Sequence, residues 1–426
     1  MADRRCEACR AELSGLTAEP LCPTCHVGAS RVPSVPARRL APAVWLWASP
    51  LAGPALASRD LGRILRVYRR INGLSQHKLA ELLGFDKTYI SMIETGRRTI
   101  SDVTTRRHIA RTLGLPTHVL GVTDADDADF AAMVQFADST IRLAEIARQA
   151  GRAVEAVNEL WPLVARLEAR AAEGRAERDT LVLLGHARLA LGVSLGTVLP
   201  EERLVAAVGW TSKALMIAER LDDNAFLART LRMHGNELRK VGRTAAAVAR
   251  LHHATHISLD SEGRGTAYAL LARAAGEHGD AALFDHAVDV YRNLLDHDSG
   301  RGMLFNPFTF REIHLRGLLS THRPAEAVRL LRTEHPGAQP VAPQWHIIER
   351  VTAGQVLVAA REPDGAEESL RAALDAAEAH RMPHQVQRAI RAAGQGGLHN
   401  VVADGHASLQ RLRVLLAPQE PARVDA

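Results

Sequence analysis

Residues 60–121 read DLGRILRVYRRINGLSQHKLAELLGFDKTYISMIETGRRTISDVTTRRHIARTLGLPTHVLG, and they decide how this chain of 426 residues is understood. Leu74-Ser75-Gln76 opens a short apolar-periodic helix that ends near Leu83-Gly84, and a second begins at Phe85-Asp86-Lys87 and closes at Glu94 to Arg98. Ser75 is placed to cap the first of these, leaving Gln76 in its exposed first turn, where backbone N–H groups face a phosphate. Leu79, Ala80, Leu83, Ile90 and Ile93 fall at helical spacing and form the small core of the pair. Gly84 supplies the positive φ of the turn between them. Two helices of about eight residues joined in this way have the helix-turn-helix layout, and the second is shaped for the major groove of B-form DNA.

On the outer face of the second helix this leaves Lys87, Thr88, Ser91 and Met92 to meet base edges or phosphates. Arg97 and Arg98 follow, where two guanidinium groups can grip the backbone. Charge points the same way. Residues 59–121 hold twelve Lys or Arg against five Asp or Glu, a balance of +7, while the whole chain is +5. The rest therefore sums to −2, and the basic character is concentrated on the motif. Such a patch supplies non-specific affinity for DNA and makes it fall with salt.

The run LSQHKLAELLGFDKTYISMIETGRR resembles the phage-repressor (xenobiotic-response-element) helix-turn-helix family, over about one seventh of the chain, from Leu61 to Leu120. The resemblance implies a phosphate contact for Gln76, base contacts for Lys87, Thr88 and Met92, and an Arg69–Glu94 pair between the first and third helices. Met92 departs from the polar residue often found at its place, so an apolar contact with a thymine methyl is the natural substitute there.

All four cysteines lie in Cys6-Glu-Ala-Cys9 and Cys22-Pro-Thr-Cys25, separated by twelve residues. Two such knuckles can set four thiolates around structural Zn²⁺, which would supply the folding free energy that so short a segment lacks. The segment resembles a zinc ribbon; a thiol switch or iron site is the competing reading, and Cys22-to-His26 also fits the c-type haem attachment pattern. Residues 31–57 read as a linker, with Trp45 and Trp47 expected to pack on the helix-turn-helix unit.

From Phe130 onward amphipathic helices follow one another, broken by Gly, Pro or short polar turns. Gly235, Gly242, Ala247, Leu251 and Ala254 set a frame that returns in Ala144, Gly151, Ala156, Leu160 and Leu163 and in Gly354, Arg361, Ala366, Leu370 and Ala373. More distorted copies surround Gly185/Gly192, Ala272/Gly279 and Leu315/His322. This resembles tetratricopeptide repeats at a longer period and predicts an α-solenoid of about six helical hairpins with a concave surface. A plain dimerising helical bundle is the alternative. The groove would be lined by Arg232, Asn236 and Arg239, with His186, Arg273, Arg316 and Gln355 at the equivalent places. The similarity of this arrangement to peptide-pheromone receptors implies a peptide or small-molecule effector.

Gly192-Val-Ser194-Leu-Gly196 fits a hydrolase string but lacks a preceding strand. His252 and His256 are spaced for a metal but lack a carboxylate or Cys beside them. No enzyme is expected. No signal peptide or uninterrupted run of 18 apolar residues is found, so a cytoplasmic, nucleoid-associated protein that does not enter the membrane is expected.

The expected fold is therefore all-α: a zinc ribbon (1–30), a linker (31–57), a five-helix repressor-type helix-turn-helix domain (58–121), a tetratricopeptide-like α-solenoid (130–417) and a disordered tail (418–426). The expected function is sequence-specific transcriptional regulation in a bacterium by a homodimer bound to double-stranded DNA. A helical-repeat adaptor, or a thiol or metal sensor using Cys6, Cys9, Cys22 and Cys25, is the alternative.

Overall fold

The computed structural model describes residues 52–58, 60–115, 120, 122, 127–172, 177–298, 302–333 and 342–416. The four cysteines, with Trp45 and Trp47, lie outside them. Among the described residues the chain is all helix, without strands.

Helices α1 (Ala52–Ala57), α2 (Leu61–Asn72), α3 (Gln76–Leu83), α4 (Lys87–Glu94) and α5 (Val103–Leu113) form the first unit. Each start of α2 to α5 is fixed by a side chain that the sequence supplies: Asp60, Ser75, Asp86 and Asp102 accept from backbone N–H groups of the first turn. That satisfies donors with no intrahelical partner. Gly73, Gly84 and Gly114 end α2, α3 and α5 in the left-handed region. Ile64, Leu65, Tyr68, Leu79, Ile90, Ile93 and Ile109 meet in one core, which also takes Ala52 of α1. The unit thus begins before residue 58.

Fourteen further helices follow: α6 (Asp127–Gln149), α7 (Ala153–Ala172), α8 (Arg178–Val198), α9 (Val205–Ala218), α10 (Asn224–Lys240), α11 (Thr244–Ile257), α12 (Ser261–His278), α13 (Ala281–His297), α14 (Pro307–Ser320), α15 (Pro324–Thr333), α16 (Pro343–Ala359), α17 (Pro363–Ala379), α18 (Pro383–Gln395) and α19 (His399–Leu416). Among the described residues they pair in chain order as seven hairpins, one more than expected. The first helices α8, α10, α12, α14, α16 and α18 each touch the next, forming a continuous inner layer.

The repeat frame has a physical basis. Gly151, Gly242 and Gly279 hold φ of 80°, 76° and 85° at their turns, and Arg361 and His322 hold 60° and 61° at the corresponding places. Each places one left-handed residue between a helix and its partner. A Cβ on Gly235 would lie 2.6 Å from Leu251, and one on Gly354 would lie 2.7 Å from Leu370, so these glycines let paired helices touch.

The copy expected at Gly185/Gly192 is corrected. Gly192 lies inside α8, where a Cβ would stand 2.7 Å from Thr211, so it serves helix contact and not a turn. Among the described residues α8 is the one helix long and apolar enough to cross a membrane, and 61% of its apolar window is buried inside the fold.

Candidate functional site

Helix α4 presents Lys87 and Thr88 to solvent, with Ser91 and Met92 half-buried, while Ile90 and Ile93 on the opposite side are enclosed by the core. The capping bond from the Thr88 amide to Asp86 measures 2.6 Å and starts the helix where the chain turns outward. Hydrogen bonding to the Thr88 hydroxyl, and then to its amide, holds the Asp86 carboxyl below its ordinary range. Arg97 and Arg98 are exposed just past the helix, and the Arg98 guanidinium sits 4.6 Å from the Tyr89 ring centroid.

The Arg69–Glu94 pair implied by the resemblance is present, Nε to Oε1 at 3.1 Å and Nη2 to Oε2 at 3.3 Å. Glu94 is 2% exposed, so its charge depends on these donors. Gln76, expected at a phosphate, donates through its side-chain amide to Glu94 Oε2 at 2.7 Å. It thus bridges the starts and ends of the two short helices, and its backbone remains at the first turn of α3. A Cβ on Gly62 would come within 2.4 Å of the Ile93 carbonyl, which shows how closely α2 carries α4.

The second candidate is a cavity of about 1300 Å³, partly open to solvent and lined by the inner layer of the hairpins. Arg232, Asn236, Arg239, Arg273 and Arg316 all line it, as does Gln355; His186 does not, and stacks instead on Phe226 with ring centroids 4.2 Å apart. Asn236, Arg273, Arg316 and Gln355 each stand six residues before a left-handed turn residue, at Gly242, Gly279, His322 and Arg361. Arg391 stands six before Gly397 and lines the cavity too. The same spacing identifies it, once the seventh hairpin is recognised. Arg388, which also lines the cavity, has no such signal: three residues earlier in the frame, the other hairpins carry Met233, Leu270, Ile313 and Thr352.

Among the described residues the lining holds nine Arg or Lys against four Glu. Arg239 Nη1 and Arg316 Nη2 both reach Glu277 Oε1, at 2.6 and 2.5 Å. Burial pushes the Glu277 carboxyl up, but Arg239, Arg316, Arg273 and Arg388 together overcome it and hold it at about 2. Burial and then the neighbouring Arg239 lower Arg273 to about 9. Burial lowers Arg388 well below its usual range, with Arg316 adding to it. A guanidinium keeps its proton in proteins, so these directions show how poorly the two charges are compensated.

Ser194 is 1% exposed in the interior of α8, with helix on both sides. His256 Nδ1 lies 2.8 Å from the His252 carbonyl, and among the described residues no cluster of three metal-ligating side chains occurs.

Comparison with known proteins places the helix-turn-helix domain family on residues 62–120. Among solved structures the chain is similar to a Rap protein complexed with competence and sporulation factor, at 12% identity over 66% of this chain and 78% of that one, with a TM-score of 0.41. It is also similar to Bacillus thuringiensis PlcR in complex with the peptide PapR7 and DNA, at 16% identity over 56% of this chain and 95% of that one, with a TM-score of 0.26. No curated protein matches the sequence. Residues 62–120 are a helix-turn-helix domain of the kind that binds DNA.

Proposed function

We propose that the chain is a sequence-specific transcriptional regulator of a bacterium, acting as a homodimer in the cytoplasm at the nucleoid and away from membranes. It reads the major groove with α4 and answers to an effector in the cavity of its helical repeats. The observation that carries the reading is the two-sided character of α4: Lys87 and Thr88 stand in solvent while Ile90 and Ile93 anchor the helix to its core. A single helix of eight residues reads few base pairs, and two copies on a pair of half-sites multiply the discrimination. In this reading Gln76, Arg97 and Arg98 fix position, and Lys87, Thr88, Ser91 and Met92 choose sequence.

The protein is not an enzyme in this account. Its structural zinc is held by Cys6, Cys9, Cys22 and Cys25, a set supported by the spacing of two C-x-x-C pairs. Selection of bound duplexes from a random pool tests the DNA reading. Enrichment of a two-fold-related motif is expected, and recovery of unenriched sequence at moderate salt would sink it. Metal analysis of the purified chain, compared with Cys22→Ser, tests the zinc.

A further inference from the structure

Resting on the effector reading of the cavity, we propose that Arg273 and Arg388, with Arg239 and Arg316, form a site for the phosphate-monoester group of a small organic molecule. These four guanidiniums share their surroundings with three carboxylates, Glu277, Glu312 and Glu237, and Glu237 is already taken by Lys240 at 2.8 Å. Glu277 Oε1 already takes both Arg239 and Arg316. Glu312 Oε1 accepts from the Thr352 hydroxyl at 2.8 Å.

Arg388 reaches neutral acceptors, the side chains of Gln385 at 2.8 Å and of Thr352 and Gln355 at 3.4 Å. Arg273 lies 5.3 Å from the Trp345 ring centroid, and its buried Nε has no hydrogen-bond acceptor. Two positive charges in this group are therefore unmatched. Arg239, Arg273 and Arg388 are 5%, 6% and 7% exposed, so bulk water compensates them poorly. Arginine cannot relieve the strain by losing a proton. An exchangeable anion can.

The chemistry of the anion follows from charge and shape. A carboxylate brings one charge and leaves one arginine unmatched. A phosphate monoester brings nearly two, with three acceptor oxygens that suit the planar fork of a guanidinium. The cavity of about 1300 Å³ far exceeds a phosphate ion, and its wall includes Leu270, Met303, Leu304, Ile348 and Val358. The phosphate is thus the head of a molecule with an organic body against that wall.

The test uses the full chain at constant ionic strength, with thermal melting and calorimetry against phenyl phosphate, inorganic phosphate, succinate and an acidic hexapeptide. Phenyl phosphate is expected to raise the melting temperature saturably and to bind at least tenfold tighter than succinate. Arg273→Gln and Arg388→Gln are each expected to weaken it at least tenfold while melting no lower than the parent without ligand, because each removes an unmatched buried charge. A merely structural arginine would give a lower melting temperature. Should one variant fail to fold, the other carries the test.

Absence of a saturable shift in the parent, undiminished binding in both variants, or a preference for succinate or the hexapeptide would overturn the proposal. DNA retention, measured on the same samples, separates the two readings. A chain that binds phenyl phosphate but not a selected duplex loses the regulator and keeps the site; the converse loses the site alone.

Discussion

Arg391 and Glu201, 190 residues apart in sequence, are joined by two hydrogen bonds of 2.6 and 2.8 Å. Around them the Gln387 side chain accepts from the Glu201 amide at 2.8 Å and donates to Glu202 at 3.0 Å, and Arg413 reaches Glu202 at 2.8 Å. The last hairpin therefore meets the turn after α8, and the inner layer curls until these two parts of it touch. Arg391 both closes the wall and lines the space within it.

Breaking this closure should change motion more than stability. Both partners are partly exposed, 55% and 32%, so a double-mutant cycle on Arg391→Ala and Glu201→Ala is expected to give a coupling of about 0.5–1 kcal/mol. Hydrogen exchange in α18 should speed up in either variant. Unchanged exchange there would mean that apolar contacts alone keep the ends together.

Arg97→Ala and Lys87→Ala are expected to act differently on DNA. The first should weaken all duplexes alike and lower the salt slope by about one unit, as a lost phosphate contact does. The second should relax preference at one base pair, by about 1–3 kcal/mol. Binding titrations at several salt concentrations, on matched and substituted sites, distinguish them.

Glu94→Gln should loosen the helix-turn-helix unit. Glu94 joins Arg69 of α2 to Gln76 of α3 from the end of α4, in a buried position. Replacing the carboxylate leaves Arg69 without its anion, at a cost of about 1–3 kcal/mol after allowing for the exposure of Arg69. Denaturant unfolding of the domain measures it, and a change below a few tenths would remove the pair from the account of the fold.

Acid should destabilise the helical repeats through His234. Burial, with a smaller push from Arg250, lowers its pKa to about 4, and its Nδ1 lies 3.0 Å from the Thr211 hydroxyl. Unfolded histidine titrates near 6.5. Between about 6.5 and 4 the unfolded chain binds the extra proton, so stability falls as pH drops through that window and levels off below it. His234→Gln should flatten this part of the melting-temperature profile; an unaltered slope would assign the loss to other groups.

Gly317→Ala should destabilise although it improves helix propensity. A Cβ there would stand 1.9 Å from Cε2 of Phe284, which is fully buried. Overpacking of this kind costs about 1–3 kcal/mol, more than the gain of up to about 1 kcal/mol from replacing glycine in a helix. A melting temperature above the parent's would show that Phe284 can move aside.

Much of the DNA-binding unit was legible because its determinants are local. Ser75, Asp86 and Gly84 act on their own turns, and the spacing of Leu79, Leu83, Ile90 and Ile93 states which face is buried before any partner is known. The hydrogen bond between Gln76 and Glu94 was not legible, since it joins residues 18 apart across two helices. The repeat frame fails at Gly192 because glycine serves both a positive φ and a close helix contact, and the residue type does not say which.

The amino-acid order by itself determined the helical character of the described residues, a capped eight-residue α4 with Lys87 and Thr88 outward, and a run of hairpins that sets Asn236, Arg273 and Arg316 at equivalent places. Only the tertiary structure decided that these places converge on one cavity, that Arg388 joins them, and that Arg391 meets Glu201. The reason is one of range. Caps and periodicity act within a few residues, whereas superhelical curvature sums small rotations over seven hairpins, and no single repeat carries that sum.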